Sequence, residues 1–555
     1  MIRPYRRDIW TVLAIVFTVG MVHGQVMSPQ YFAYIESILR SNATAEAINL
    51  SPLDEQFPGD TLPNFSAVVR SLRGASRSET VNNAVDKLLS EIQPLQQAGN
   101  NAEVSRRLAN AYTLLKRKQW NAKAEYSASL ELRNAPMIGD GSKAFAGQVG
   151  QLFTARPPSA TALRLQLSLT EFAIDEDGLT IDNPKVVKVL GSFNGVGTDL
   201  MARPFSFSTN VNGVPEGIYR LTIEVFDGDV AVGKTTFPLW LVKDLEARRV
   251  DVERKLAAVQ GHDSAKATIR FPFMLADGIN KRQRSRVFYD FARSIQRSVD
   301  LAQALANGKD MVARGKGYQG RHYFFDEAKE IIPFRLYVPT TWDGRKKLPM
   351  IVYLHGANED ERDALDRDGG FIQRISEERG YIIVAPLGYR VNGGYGAYPG
   401  GLRGGQRGAT QTKMSEFSEK DILNVTEIIA KEYDIDRTRL YLMGQSMGGR
   451  GVLYIGAKYT ELWAGMVATA PAPGAASTAY PYERLTGMPV MIAFGDADSA
   501  AIIEGSRSFI TEMKKRGMEP SHIEVEGATH HSIVYETIEH AFDFLDTARK
   551  RAKSF

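Results

Sequence analysis

The sequence predicts a multidomain chain that ends in an α/β domain with a mostly parallel sheet, preceded by a helical region and a small β-sandwich. Three observations carry this. The chain has 555 residues, more than one hydrophobic core usually organises. Its apolar period changes from helical to alternating near residue 150. From about residue 326, continuous apolar runs alternate with amphipathic helical segments.

The N-terminus reads as an address. Arg3, Arg6 and Arg7 precede an apolar run from Ile9 to Val22, followed by small residues before Gln25. A positive start and an apolar run of about 14 residues fit a cleavable signal peptide over 1–24, too short for a membrane span. The expectation is therefore a secreted or periplasmic protein with no stable membrane insertion after cleavage. No cysteine occurs anywhere, so disulfides, thiolate chemistry and cysteine metal sites are excluded.

Residues 25–148 form the helical region. "VNNAVDKLLSEIQPL" and "EVSRRLANAYTLLKRKQW" space apolar residues by three and four. Residues 150–245 switch to period two, with "LRLQLSL" alternating strictly and turn residues between short strands, as a β-sandwich requires. Within it, Gly228-Asp229-Val230-Ala231-Val232-Gly233-Lys234-Thr235 fits the letters of a phosphate-binding loop. Such a loop needs a helix beginning at its Lys-Thr. Thr235-Thr236-Phe237-Pro238 is a poor helix start, and Asp227-Gly228 is a good hairpin turn, so a hairpin is expected instead. Residues 246–325 read as a helical connector.

Residues 326–555 are the α/β domain. "PMIVYLHG", "GYIIVAPLG", "RLYLMG", "AGMVATAP", "PVMIAFGD" and "HIEVEG" have the character of strands, the first two apolar enough to be buried on both faces. Net charge is +4, from 68 basic and 64 acidic residues, and no basic stripe with interleaved aromatics occurs, so nucleic acid is not an expected partner. The short basic cluster Arg549–Lys553 reads as a solvated tail.

One stretch carries chemistry. Ser446 lies in Gly444-Gln445-Ser446-Met447-Gly448, between the strand "RLYLM" and the helical "GGRGVLYIGAKY". A serine on a sharp strand-to-helix turn has the placement of a nucleophile elbow, where flanking glycines avoid crowding strand and helix. A hydroxyl is a weak nucleophile, so a base must take its proton and a carboxylate must orient that base. Asp498 after "VMIAFG" and His530 after "HIEVEG" supply both in the order serine, acid, histidine. The two N–H groups of an oxyanion hole would come from Met447, next to the serine, and Ala357, in the loop after "VYLHG".

"LHGANED", "GQSMGGRG", "FGDAD" and "EGATHHS" resemble the α/β-hydrolase superfamily. The likeness is to secreted serine esterases related to polyhydroxyalkanoate depolymerases, feruloyl esterases and dienelactone hydrolase, with prolyl-oligopeptidase-like proteins nearby. It covers residues 326–555 and implies an α/β-hydrolase fold, an acyl-enzyme mechanism and no cofactor. The family's G-x-x-D spacing from Gly495 favours Asp498 over Asp496, and its G-x-x-H spacing from Gly527 favours His530 over His531. Many relatives have His where this chain has Gln445. His355 reads as a residue that positions its loop. His522 and His540 have no partners at ligand spacing, and no H-E-x-x-H cluster suggests a metal.

The glycine-rich loop 388–410 follows a strand at the end where α/β sites open. Tyr389, Tyr395, Tyr398, Arg403 and Arg407 are its candidate substrate contacts, with a plain surface loop as the competing reading. Together these readings predict an exported serine hydrolase that cleaves a small-molecule or polymer-linked carboxylic ester. A peptidase or amidase with the same triad is the alternative. A binding or scaffold protein with an inert hydrolase domain is the alternative of another class. The sequence does not specify the oligomeric state, the acyl group or the alcohol.

Overall fold

The computed structural model describes residues 26–27, 66, 69–70, 72–74, 76–155, 161–172, 184–281, 289–357, 359–396, 409–472 and 481–550. The signal-peptide reading of 1–24 lies outside them, as do Tyr398, Arg403 and Arg407. The chain divides into two units. One comprises residues 1–257 and 272–300, the other residues 258–271 and 301–555.

The first unit contains helices Glu79–Ser90, Ile92–Gln97, Asn101–Leu115 and Ala122–Ser129. Ser78 and Asn100 cap two of them by accepting from Val81 N–H and Glu103 N–H. Val85, Ile92, Val104, Leu108 and Ala111 form their apolar seam with Val69. Strand β1 (Val26–Met27) precedes these helices, and after them come β2 (Leu130–Arg133), β3 (Ile138–Asp140), β4 (Ala144–Gln151), β5 (Leu163–Glu171), β6 (Val186–Val196), β7 (Phe205–Asn210), β8 (Gly217–Asp227) and β9 (Val230–Val242). They make a four-stranded sheet in the order β1-β2-β4-β7 and a five-stranded sheet in the order β3-β9-β8-β5-β6. Strands β1, β2, β3 and β4 therefore begin inside the stretch whose sequence reads as helical. The phosphate-loop lookalike is the turn of the β8–β9 hairpin and the start of β9. Gly228 adopts φ 58° at the turn, and Lys234 pairs with Glu224 across the ladder.

The second unit is built on an eight-stranded sheet: β10 (Gly317–Phe325), β11 (Glu330–Val338), β12 (Met350–Leu354), β13 (Ile382–Pro386), β14 (Leu440–Gln445), β15 (Gly465–Thr469), β16 (Val490–Gly495) and β17 (Ser521–Val525). Their spatial order is β10-β11-β13-β12-β14-β15-β16-β17. β10, β11 and β13 run antiparallel to one another in turn, and every later pairing is parallel. The sheet thus begins at Gly317, earlier than the sequence boundary at 326. β10 is an edge strand with mixed burial, and it lacks the continuous apolar run that marks the central strands.

Strand periodicity sorts the core. Ile351, Tyr353, Ile383, Ala385, Tyr441, Met443, Val467, Met491 and Ala493 are all odd-numbered and share one face. Leu365, Ile372 and Ile375 of helix Asp363–Arg379 pack there, with Ile538, Phe542 and Leu545 of helix Ser532–Thr547. Helices Ala409–Glu432 and Met447–Lys458 also lie against the central strands. Phe542 is wholly buried and meets the Tyr381 ring edge-on at 5.2 Å. Phe542→Ala is expected to destabilise this unit by about 3–5 kcal/mol, read as a lower urea midpoint in tryptophan fluorescence.

Candidate active site

The parallel strands set the site because their C-terminal ends share one edge of the sheet. β12 ends at Leu354 and releases His355, Gly356 and Ala357. β14 ends at Gln445 and releases Ser446. β16 and β17 release the loops carrying Asp498 and His530.

Ser446 has φ 57° and ψ −115°, outside the conformations a non-glycine residue prefers. Backbone bonds hold it there. Its N–H donates to Thr469 O at 2.9 Å, and its carbonyl accepts from Arg450 N at 3.0 Å and Ala472 N at 2.9 Å. The turn also needs Gly448. A Cβ there would stand 2.0 Å from the Leu354 carbonyl oxygen, and one at Gly444 would stand 2.7 Å from the same atom. Ser446 heads the helix Met447–Lys458, whose N-terminal dipole favours negative charge beside it. Met447, buried, is the first residue of that helix, and Ala357 is exposed in the turn after β12.

Three side chains meet in a line. His530 Nε2 lies 2.9 Å from Ser446 Oγ, and His530 Nδ1 lies 2.6 Å from Asp498 Oδ2. A carboxylate only accepts, so Nδ1 carries the proton and Nε2 is the acceptor for the serine hydroxyl. The Asp498 side chain is nearly inaccessible, and its other oxygen accepts from Ser499 N at 2.6 Å. Asp496 faces elsewhere: its Oδ1 accepts from Gly527 N at 2.6 Å and so pins the start of the His530 loop. His531 directly precedes helix Ser532–Thr547 and stands edge-on to the His530 ring, centroids 5.5 Å apart.

His355 is fully buried. Its Nδ1 and Nε2 each lie 2.8 Å from a carbonyl oxygen, Gly356 and Leu387, tying the turn after β12 to that after β13. Three residues to which the sequence reading gives no role surround this turn. Glu359 Oε2 accepts from Gly356 N at 2.8 Å, while Oε1 accepts from Arg367. Arg367 Nη1 donates to Gln445 Oε1 at 2.8 Å, and Gln445 Nε2 donates to the His530 carbonyl. Burial alone would push the Glu359 carboxyl up, but the Arg367 guanidinium and the Gly356 N–H bring it below the ordinary glutamate range. The only signal in sequence is an unusually charged run, "NEDERDALDRD", directly after the apolar strand.

Two expected substrate contacts are corrected. Tyr389 and Tyr395 are 1% and 0% exposed, so neither ring offers a surface to a ligand. Both aromatics have more to gain from packing than from lining a loop. The Tyr389 ring packs edge-on against Phe325 and Phe417, and its N–H donates to Asp421 Oδ2 at 2.8 Å. Tyr395 donates its hydroxyl to the His355 carbonyl at 3.3 Å and supports the site from below.

Residues 327–542 match the family model described as "Putative esterase". An S-formylglutathione hydrolase of Arabidopsis thaliana is 25% identical over 179 residues, 31% of this chain. The chain spans about three fifths (62%) of the length of that relative. A ferulic acid esterase of the anaerobic fungus Anaeromyces mucronatus aligns over 42% of this chain and 92% of its own. It is 23% identical, with a TM-score of 0.35. An S-formylglutathione hydrolase of Staphylococcus aureus aligns over 42% and 99%, at 15% identity and a TM-score of 0.35. By its family match, the segment resembles esterases.

Asp421 is buried beneath this turn and accepts from Tyr323 Oη at 2.7 Å as well as from Tyr389 N. Burial pushes its carboxyl from 3.8 up to about 6. The folded state then binds more protons than the unfolded state between these values, so stability falls as pH rises through that window. The loss is about 3 kcal/mol and is complete above the folded value. Asp421→Asn should flatten this dependence, seen as a wild-type minus variant stability difference that shrinks between pH 4 and pH 7. Gly448→Ala, which forces the helix off Leu354, should lower ester hydrolysis of the folded fraction by about 100-fold.

Proposed function

We propose that this protein is an exported serine esterase in which Ser446, His530 and Asp498 act as a catalytic triad. The observation that carries the reading is the unbroken hydrogen-bonded line from Asp498 Oδ2 through His530 to Ser446 Oγ. Ser446 Oγ attacks the ester carbonyl carbon while His530 Nε2 takes its proton. Asp498 keeps the proton on Nδ1 and stabilises the imidazolium that forms. The carbonyl oxygen becomes an oxyanion, held by the N–H groups of Met447 and Ala357. The intermediate collapses, the alcohol leaves with the proton from His530, and the acyl group stays on Ser446. Water then attacks the acyl-enzyme, giving its proton to His530, and the acid departs as Ser446 regains its hydrogen.

A small-molecule or polymer-linked carboxylic ester is the substrate class, supported by the match of residues 327–542 to an esterase family. The two sheets of the first unit are read as a sandwich-like accessory domain, and the Arg-rich, apolar N-terminus as the export signal.

A fluorophosphonate probe tests the nucleophile without a guess at substrate. It should modify Ser446 in the wild type, mapped by mass spectrometry, and fail to do so in His530→Ala. An ester panel beside a peptide panel tests the class; faster cleavage of peptides would overturn the esterase reading. The two aspartates separate by magnitude. Asp498→Asn should lower kcat by about 10⁴-fold, since the wrong histidine tautomer then forms. Asp496→Asn removes only a charge from one backbone hydrogen bond and should cost about tenfold or less.

A further inference from the structure

We infer that Glu359, Arg367 and Gln445 form a positioning relay that locks the turn carrying the oxyanion-hole donor to the loop carrying His530. The inference rests on the serine hydrolase reading above and deepens it. The relay begins at a backbone N–H, Gly356, one residue before Ala357, and ends at the backbone carbonyl of His530 itself. Between them every bond joins a group that can donate to one that can accept. Gly356 N–H meets one oxygen of Glu359, and the other oxygen takes Arg367. The second arm of Arg367 meets Gln445 Oε1 at 2.8 Å.

The chemistry at Gln445 is restrictive. A guanidinium only donates and a carbonyl only accepts. The side chain between them must therefore accept at one end and donate at the other, at that length. A glutamine amide does both, and its orientation is fixed by its two partners. A glutamate would set a second acceptor against the His530 carbonyl. A methionine would fill the same space and make neither bond. Gln445 also directly precedes Ser446, so the relay touches all three catalytic elements: the oxyanion turn, the nucleophile strand and the base loop.

Glu359 and Arg367 are a largely enclosed ion pair, each side chain 18% accessible. Removing one partner alone would strand the other's charge, so the pair holds together or not at all. None of the three groups reaches the reacting atoms. They act through the placement of Ala357 N–H and the His530 ring, where small displacements cost much rate.

The test uses the full chain and three variants: Gln445→Met, the paired Glu359→Gln/Arg367→Met, and all three changes together. The readouts are the second-order rate of fluorophosphonate labelling at Ser446 and kcat and KM on p-nitrophenyl acetate, with folding checked by circular dichroism. Gln445→Met and the pair should each slow labelling by about 10- to 100-fold and lower kcat, with KM changed less than threefold. The combined variant should be no slower than the worse of the two, because both cuts open the same chain. Unchanged labelling in folded Gln445→Met, losses that multiply in the combined variant, or an effect on KM alone would each overturn the relay. If the paired variant does not fold, the uncharged Gln445→Met change still decides by its kcat and labelling rate. A wild type that does not label at Ser446 would instead overturn the serine hydrolase reading.

Discussion

The approach of the helix Met447–Lys458 to the end of β12 is the constraint on which the rest depends. At Gly448 the helix backbone passes so close to the Leu354 carbonyl that a methyl group would have no room. That closeness makes the strand-to-helix turn sharp enough to hold Ser446 at φ 57°, and the strain is countered by bonds to Thr469, the last residue of the neighbouring strand β15, and to Ala472 beyond it. Three adjacent strands, β12, β14 and β15, therefore have to be in register before Ser446 can take its place on the turn. The sheet supplies this as a by-product of parallel pairing, since its parallel strands all end on one edge.

Charge is arranged in the same economical way. Asp498 and Asp496 sit two residues apart at the end of β16, yet one orients the imidazole and the other fixes the backbone of its loop at Gly527. Beneath the site, Asp421 anchors Tyr389, while His355 bridges two carbonyls and Tyr395 closes over it. The polar groups under the turn thus serve its shape, and the exposed edge is left to Ser446 and His530.

Sequence showed the strongest parts of this. Continuous apolar runs such as "PMIVYL" and "GYIIVAP" mark strands buried on both faces, and the glycines around Ser446 mark the sharp turn. The edge strand β10 was not legible, because a half-exposed strand with Arg321 and His322 among aromatics has no clean period. Spacing favoured Asp498, but only three-dimensional placement shows Asp496 turned to Gly527 N. Tyr389 and Tyr395 were misread for a general reason: a glycine-rich stretch looks like open loop, yet glycines also let a chain fold back and bury its aromatics. The Glu359–Arg367–Gln445 line joins residues 8 and 78 positions apart, and no local pattern announces such a bond.

The helix behind Ser446 reads "MGGRGVLYIGAK". Four glycines in twelve residues, each about 1 kcal/mol less favourable than alanine, make it a helix that would not persist by itself in water. Its shape is borrowed from the strands it leans on. The pose of Ser446 doubles as a gauge of architecture: its backbone bonds to Thr469 and Ala472 last only while β14 and β15 stay zipped, so the proposed chemistry depends on strands far from the reacting atoms.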